Sequence, residues 1–116
     1  MRTASQSETI EDIFDYMNEP VTRYLNVELG VCAILDLLLS ADYSMTGLAL
    51  EVQECYPGYR LSIDNAKKCI KFLAGERMIE RSANPNVRLR VWQLKPEHVV
   101  RAQDLAKHWQ TYRRFK

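Results

Sequence analysis

The chain has 116 residues, of which 47% are hydrophobic, and its formal net charge is +1. This length and this hydrophobic content fit one domain with a modest core. Its apolar runs fall well short of the ~20 residues that a transmembrane helix needs, and its N-terminus lacks the apolar core of a secretory signal. We therefore expect a cytoplasmic protein with reduced thiols and no membrane contact.

The charge is distributed unevenly along the chain. Residues 1–57 carry two basic and ten acidic side chains, a net charge of −8, whereas residues 58–116 carry fourteen basic and five acidic ones, a net charge of +9. Such asymmetry is expected when one surface of a protein faces a polyanion. The alternative is that the two halves attract each other within the fold.

The sequence offers no pattern typical of an enzyme or of a metal site. Cys32, Cys55 and Cys69 form no CxxC pair, and they lie far along the chain from His98 and His108. No nucleophile–histidine constellation, paired acidic motif or glycine-rich phosphate loop is present. We expect no catalytic residue, no metal and no cofactor, and cysteines that serve as buried small hydrophobic side chains. The alternative is a ligand or redox input through the three thiols.

The first predicted helix lies near the N-terminus. Ser5 and Glu8 have the spacing of a capping box, and an apolar stripe at helical spacing follows them before Pro20. The stripe consists of Ile10, Ile13, Phe14 and Met17. Because this helix lies outside the compact unit that follows it, we expect it to pack on a flank of that unit or on a second subunit.

The most apolar segment, residues 28–39, predicts the central helix of the core. Its length and its content of leucine and alanine favour a helix over a buried strand. Asp36 interrupts the apolar run, and we expect it to point to an exposed strip. After a turn, Thr46 predicts the cap of a second helix over residues 47–56, which a Pro-Gly dipeptide ends.

The third helix, predicted over residues 63–74, carries the candidate functional face. Ser62 suits an N-cap and Gly75 suits a left-handed exit from the helix. The apolar face holds Ile63, Ala66, Cys69, Ile70 and Leu73, and the polar face holds Asp64, Asn65, Lys67, Lys68 and Lys71. Since the DNA major groove admits an α-helix, three lysines opposite an apolar face suit DNA binding. The alternative is an ordinary solvated helix face.

A predicted β-hairpin follows, with strands over residues 78–83 and 87–94 around an Asn-Pro-Asn turn. Alternation along the second strand places on one face Arg88, Arg90, Trp92 and Leu94. We expect the tryptophan and the leucine, near the base of the hairpin, to enter the core. We expect the two arginines to project beside the third helix.

The last predicted helix begins at Lys95 and Pro96, since proline is accepted in a first turn. Its apolar stripe consists of Val99, Ala102, Leu105, Ala106, Trp109 and Tyr112. We expect this stripe to pair with a second copy, because two-fold dimers are the commonest oligomers, and the alternative is internal packing. The predicted division is thus an N-terminal helical extension (1–27), a compact domain (28–95) and a dimerisation helix (96–116).

Three stretches carry a family resemblance. They are residues 29–39 with Tyr43-Ser-Met-Thr-Gly47, Ala66-Lys-Lys-Cys-Ile-Lys-Phe-Leu73 leading to Arg77-Met-Ile-Glu-Arg81, and Val91-Trp-Gln-Leu-Lys-Pro-Glu97. Through them the chain resembles winged helix-turn-helix proteins, and within these the PadR-type and MarR-type bacterial transcription regulators. The resemblance implies a mainly α-helical fold with a small β-hairpin wing, of the α+β class, with extra N- and C-terminal helices.

The resemblance also implies a function. It implies sequence-specific binding to double-stranded DNA as a homodimeric transcription regulator, with the third helix in the major groove and the wing on the backbone. The residues that would contact DNA are Ser62, Asn65, Lys67, Lys68, Lys71, Arg88 and Arg90, and those that would form the dimer interface are Ile13, Phe14, Leu105, Trp109 and Tyr112. We expect Asn65 to contact a base, because an asparagine amide can pair in bidentate fashion with adenine. The alternative function is a winged-helix module that binds protein and not DNA.

Overall fold

The structure of the protein, a computed structural model, describes residues 22–82 and 90–114. The predicted N-terminal helix, with Ile13 and Phe14, and the wing residue Arg88 lie outside the described residues. In the part that is described, the elements in chain order are β1 (Arg23–Tyr24), α1 (Val27–Leu38), β2 (Tyr43–Ser44), α2 (Met45–Cys55), β3 (Tyr59–Arg60), α3 (Ile63–Gly75), β4 (Ile79–Arg81), β5 (Val91–Leu94), a 3-10 turn (Pro96–His98) and α4 (Val99–Arg114). None of the helices in these two ranges is long and apolar enough to cross a membrane.

Helix α1 is the centre of the core, because it packs against α2, α3 and α4 and is buried along most of its length. It approaches α3 closely at Gly30, where an added Cβ atom would lie 2.8 Å from Sγ of Cys69 and 3.0 Å from Leu61. A side chain at this position would push the two helices apart. The glycine therefore sets the distance at which α3 is held against the core.

Asp36 of α1 does not point to an exposed strip, as the sequence predicted. It is half-buried, and its carboxylate accepts hydrogen bonds from the Tyr56 hydroxyl and from Nε2 of Gln110, the latter at 2.6 Å. Burial and the hydrogen bond to Asp36 raise the pKa of Tyr56. The carboxylate therefore joins α1 to the end of α2 and to α4.

Local capping explains where α2 and α3 begin. Ser44, and not Thr46, caps α2, because its hydroxyl accepts the backbone N–H of Gly47 at 2.9 Å. The predicted cap of α3 is confirmed, since the Ser62 hydroxyl accepts the backbone N–H of Asn65 at 3.1 Å. The residue with a left-handed backbone conformation after α3 is Arg77, whose φ is 58°. Gly75, which the sequence predicted for this exit, is the last residue of the helix.

The wing is part of a three-stranded antiparallel sheet with the order β2-β5-β4. Its register pairs Ile79 with Leu94 and pairs Trp92 with both Tyr43 and Arg81. The predicted hairpin is thus confirmed, and β2 adds a third strand that ties the wing to the start of α2. The predicted fold class, mainly α with a small β-sheet, is confirmed as well.

Helix α4 packs on α1 and buries Ala102, Ala106 and Trp109 of its stripe within its own chain. Trp109 is fully buried, and its ring makes edge contacts with Tyr56 and Tyr59 at centroid distances of 5.2 and 5.1 Å. The expected pairing of this stripe with a second copy therefore does not apply to Trp109, whose surface is already covered. Leu105 and Tyr112 are half-buried beside it.

Candidate nucleic-acid interface

The exposed surface of α3 is a polar arc opposite a buried apolar face. The face that α3 turns to the core holds Ala66, Cys69, Ile70 and Leu73. At about 100° per residue, the arc begins at Asn65, passes the exposed ring of Phe72 and then Lys68, Asp64 and Lys71, and ends at Lys67. All of these except Asn65, which is half-buried, are exposed. The three predicted lysines therefore share one continuous surface.

A groove of about 780 Å³ lies at the Lys67 end of this arc. It is bounded by α3, the start of α2 and the strand of the wing, and we call it the wing groove. The residues that line it are Ser44, Met45, Thr46, Lys67, Ile70, Lys71, Ala74, Arg90 and Trp92. The pairing of β5 with β2 holds the root of the wing beside α2. The groove thus brings together Lys67, Lys71 and Arg90, three of the residues predicted to contact DNA.

Within the described residues, the cations of this surface have no ion-pair partner. Among residues 22–82 and 90–114, no carboxylate lies within 4.0 Å of the side-chain nitrogens of Lys67, Lys68, Lys71 or Arg90, and the ion pair found there joins Lys95 and Glu97 at 3.9 Å. Asp64, in the first turn of α3, is the carboxylate on the arc itself. Clustered unpaired cations attract polyanions and concentrate them at the surface.

Two of the predicted DNA contacts, Ser62 and Asn65, also make hydrogen bonds within the fold. The Ser62 hydroxyl caps α3, and Nδ2 of Asn65 donates a hydrogen bond to the backbone oxygen of Leu25 at 3.0 Å. This bond turns the Asn65 amide toward the chain that precedes α1. A bidentate pair with adenine needs both the N–H and the carbonyl of the amide to face the base, so this arrangement does not provide it.

Sequence reasoning missed the contribution of Ser44 and Thr46 to the wing groove. The signal for it was present, because a helix-turn-helix brings the start of its second helix beside the third. It also missed strand β1, which pairs with β3 directly before α3. A strand of two residues is too short to produce a periodic pattern.

The thiols and the metal-binding side chains form no further site in the described part of the chain. Burial raises the pKa of Cys69 to about 11, and burial together with Glu28 raises the pKa of Cys32, so both remain protonated thiols at neutral pH. Cys55 is exposed. The described ranges contain no group of three His, Cys, Asp or Glu side chains that could hold a metal ion.

Helices α2 and α3, followed by the β4–β5 wing, form a winged helix-turn-helix, so the predicted class of fold is confirmed. No protein-family model and no curated protein matches the chain. Among solved structures, the circadian clock associated protein Pex from Anabaena is 35% identical, with a TM-score of 0.70, and the match covers 90% of this chain and 95% of that one. Pex from Synechococcus sp. (strain PCC 7942) is 32% identical, with a TM-score of 0.73 and coverage of 90% and 97%. The chain belongs to the Pex family.

A more distant structure extends the similarity of fold. ZitR of Lactococcus lactis, solved in complex with DNA, is 20% identical, with a TM-score of 0.54, and the match covers 96% of this chain and 77% of that one. At this identity the similarity concerns the fold alone. It shows that the architecture extends to a protein that binds DNA.

Proposed function

We propose that this protein binds double-stranded DNA in a sequence-specific manner as a homodimeric transcription regulator. In this proposal α3 enters the major groove and the wing contacts the backbone. The observation that carries it is the convergence of Lys67, Lys71 and Arg90 on the wing groove, next to the exposed arc of α3 and without a carboxylate partner among the described residues. The DNA complex of ZitR, a protein of the same fold, supports it.

The positions of the side chains around α3 suggest how the roles are divided. Lys67 lies on the flank of the helix, about 70° from its outward direction, whereas Lys68 and Asp64 lie within about 30° of it. We therefore assign Lys67 to a phosphate. We assign Lys71 and Arg90 to phosphates as well, because they line the wing groove together with Lys67, and phosphate contacts fix position. We assign Lys68 and Asp64 to bases, since a lysine can donate to guanine and a carboxylate can accept from cytosine.

Three predicted DNA contacts remain to be assigned, namely Ser62, Asn65 and Arg88. Ser62 and Asn65 position α3 and do not contact bases in this proposal. Arg88 remains a proposed backbone contact, because it precedes Arg90 by two residues and alternation along the strand predicted over residues 87–94 would give both the same face. The finer resemblance to PadR-type or MarR-type regulators remains a proposal, as does a clock-related role, which rests on the description of the Anabaena relative.

The homodimer is proposed from apolar surface that the described residues leave uncovered. Phe72 and Val100 are 50% and 72% exposed, and a groove of about 370 Å³ between α1 and α4 includes Phe72 and Leu105. With Trp109 buried internally, the proposed interface rests on Leu105 and Tyr112 and on the predicted helix of Ile13 and Phe14. Light scattering should give twice the mass of the chain, and a monomer at micromolar concentration would contradict the dimer.

The test of DNA binding is a fluorescence anisotropy titration of the full chain against a labelled random-sequence duplex. If a dimer uses about six to ten phosphate contacts, its affinity should fall by a factor of about a thousand or more between ~50 and ~200 mM salt. Replacing Lys67, Lys68 and Lys71 with glutamate should abolish binding. Binding that is absent, or unaffected by salt and by these substitutions, would contradict the proposal and favour a module that binds protein.

A further inference from the structure

The pairing of β1 with β3 forms a short parallel ribbon that precedes α3, and we call it the β1–β3 ribbon (Arg23, Tyr24, Tyr59 and Arg60). Arg23 lies opposite Tyr59, and Tyr24 lies opposite Arg60. The backbone N–H of Arg23 donates to the oxygen of Gly58, and that of Leu25 donates to the oxygen of Arg60, both at 2.8 Å. These bonds use only main-chain atoms, so the side chains of the ribbon are not needed to hold it together.

The ribbon is fixed both to the core and to α3. The ring of Tyr59 is buried against Trp109, and the residues that continue the two strands, Leu25 and Leu61, are buried as well. The hydrogen bond from Asn65 to the oxygen of Leu25 joins the ribbon to the first turn of α3. The ribbon therefore has a defined position relative to the exposed arc, at the Asn65 end of that arc.

The outer face of the ribbon carries an exposed aromatic ring beside arginine. Because Tyr59 points inward, its neighbour Arg60 points outward, and so does Tyr24, which lies opposite Arg60 in the register. Tyr24 is 68% exposed, and Arg60 is exposed as well. Arg23, which lies opposite Tyr59, alternates to the other face of the ribbon, where its side chain is exposed too. In the described ranges no carboxylate lies within 4.0 Å of the nitrogens of Arg23 or Arg60.

We propose that the β1–β3 ribbon is a further contact with duplex DNA, in which Arg60 neutralises a phosphate and the Tyr24 hydroxyl donates to the backbone. Arginine and tyrosine are both frequent donors to phosphate oxygens. This inference rests on the proposed function. It also specifies a geometry, because the wing groove lies at the Lys67 end of the arc and the ribbon lies at the Asn65 end.

An α-helix of ~10–12 Å diameter fills a major groove ~12 Å wide, so both bordering phosphate strands come within reach of its flanks. The wing groove, with Lys67, Lys71 and Arg90, contacts the strand on one side of α3. The ribbon contacts the strand on the other side. Together they hold α3 in the groove from both edges, and this fixes the register in which Lys68 and Asp64 meet the bases.

The test compares an Arg60→Ala variant with a matched control, Lys107→Ala, which removes one exposed cation from α4. Binding to one duplex is measured by anisotropy from ~50 to ~200 mM salt. Each lost phosphate contact lowers the slope of log affinity against log salt by about 0.9, which corresponds to about a fivefold loss at ~0.15 M salt. The ribbon variant should lose about one phosphate contact, and therefore about fivefold in affinity, for each chain bound. The control should match the unaltered protein.

An Arg60→Lys variant, which keeps the charge, should retain most of the slope, and the melting temperature of each variant should equal that of the unaltered protein. If the unaltered protein shows a steep slope and the ribbon variant shows the same slope, the ribbon contact is refuted while the proposed function stands. If the unaltered protein shows no salt-dependent binding, the ribbon contact falls together with the proposed function.

Discussion

We assign Lys67 to a phosphate contact and Lys68 to a base contact. The Lys67→Ala and Lys68→Ala variants should therefore differ in how their loss of affinity depends on the DNA sequence. The two residues are adjacent in the chain, and both are exposed on α3. Lys67 lines the wing groove, whereas Lys68 does not. Each substitution removes one positive charge from the same helix, so each variant is the control for the other.

The size of each effect follows from the kind of contact. Loss of a phosphate contact at Lys67 should weaken binding about fivefold per bound chain at ~0.15 M salt, on every sequence alike. Loss of a base contact at Lys68 should cost about 1–3 kcal/mol on the preferred sequence. It should cost less on random duplex, where that contact is not formed.

The assay needs a preferred duplex, which can be selected from a random library by rounds of binding to the unaltered protein. Affinities of both variants are then measured by anisotropy on the selected duplex and on a scrambled one. The predicted result is a constant loss for Lys67→Ala and a sequence-dependent loss for Lys68→Ala. Equal losses on both duplexes for both variants, or the reverse assignment, would refute the division of roles.

Further predictions concern the fold around the site. Gly30→Ala should destabilise the protein by about 1–2 kcal/mol in urea unfolding, because the new Cβ would meet Cys69 at 2.8 Å, and a Cys69→Ala background should reduce this cost. In native protein at pH 8, iodoacetamide should modify the exposed Cys55 at least tenfold faster than Cys69, whose pKa is raised to about 11, and equal rates measured by mass spectrometry would contradict the burial. Because the pKa of Tyr56 is raised in the folded protein, the stabilisation that its hydroxyl provides is present below the ordinary tyrosine pKa of ~10 and is lost as the pH rises above that value. Above pH ~10, the free energy of unfolding should therefore decrease with pH less steeply in the Tyr56→Phe variant than in the unaltered protein, by about 1.4 kcal/mol per pH unit. The same slope in both proteins would contradict this prediction.

The parts of the fold that follow from local chemistry could be predicted from the sequence. Helix α3 is such a part, since its cap, Ser62, and its apolar stripe lie within fourteen consecutive residues. The hairpin was predictable for the same reason, because alternation and a turn define it locally. The lysines of α3 could be assigned to one surface from helical spacing alone.

The parts that depend on distant contacts could not be predicted. The role of Asn65 depends on the backbone oxygen of Leu25, which lies 40 residues earlier in the chain. The burial of Trp109 depends on Tyr56 and Tyr59, which close over its ring. An amphipathic stripe shows that a helix must bury one face, but it does not specify whether its own chain or a second copy covers that face.

The central claim is that the exposed arc of α3 and the wing groove form the surface that binds duplex DNA. The most direct test is a titration of isotope-labelled protein with a short duplex, followed by the amide signals in nuclear magnetic resonance spectra. We predict that the largest shifts occur at residues 44–47, 62–71 and 90–92, and that the signals of Gln103 and Lys107 on the outer side of α4 remain unchanged. Shifts concentrated on α4, with the signals of α3 unmoved, would contradict it.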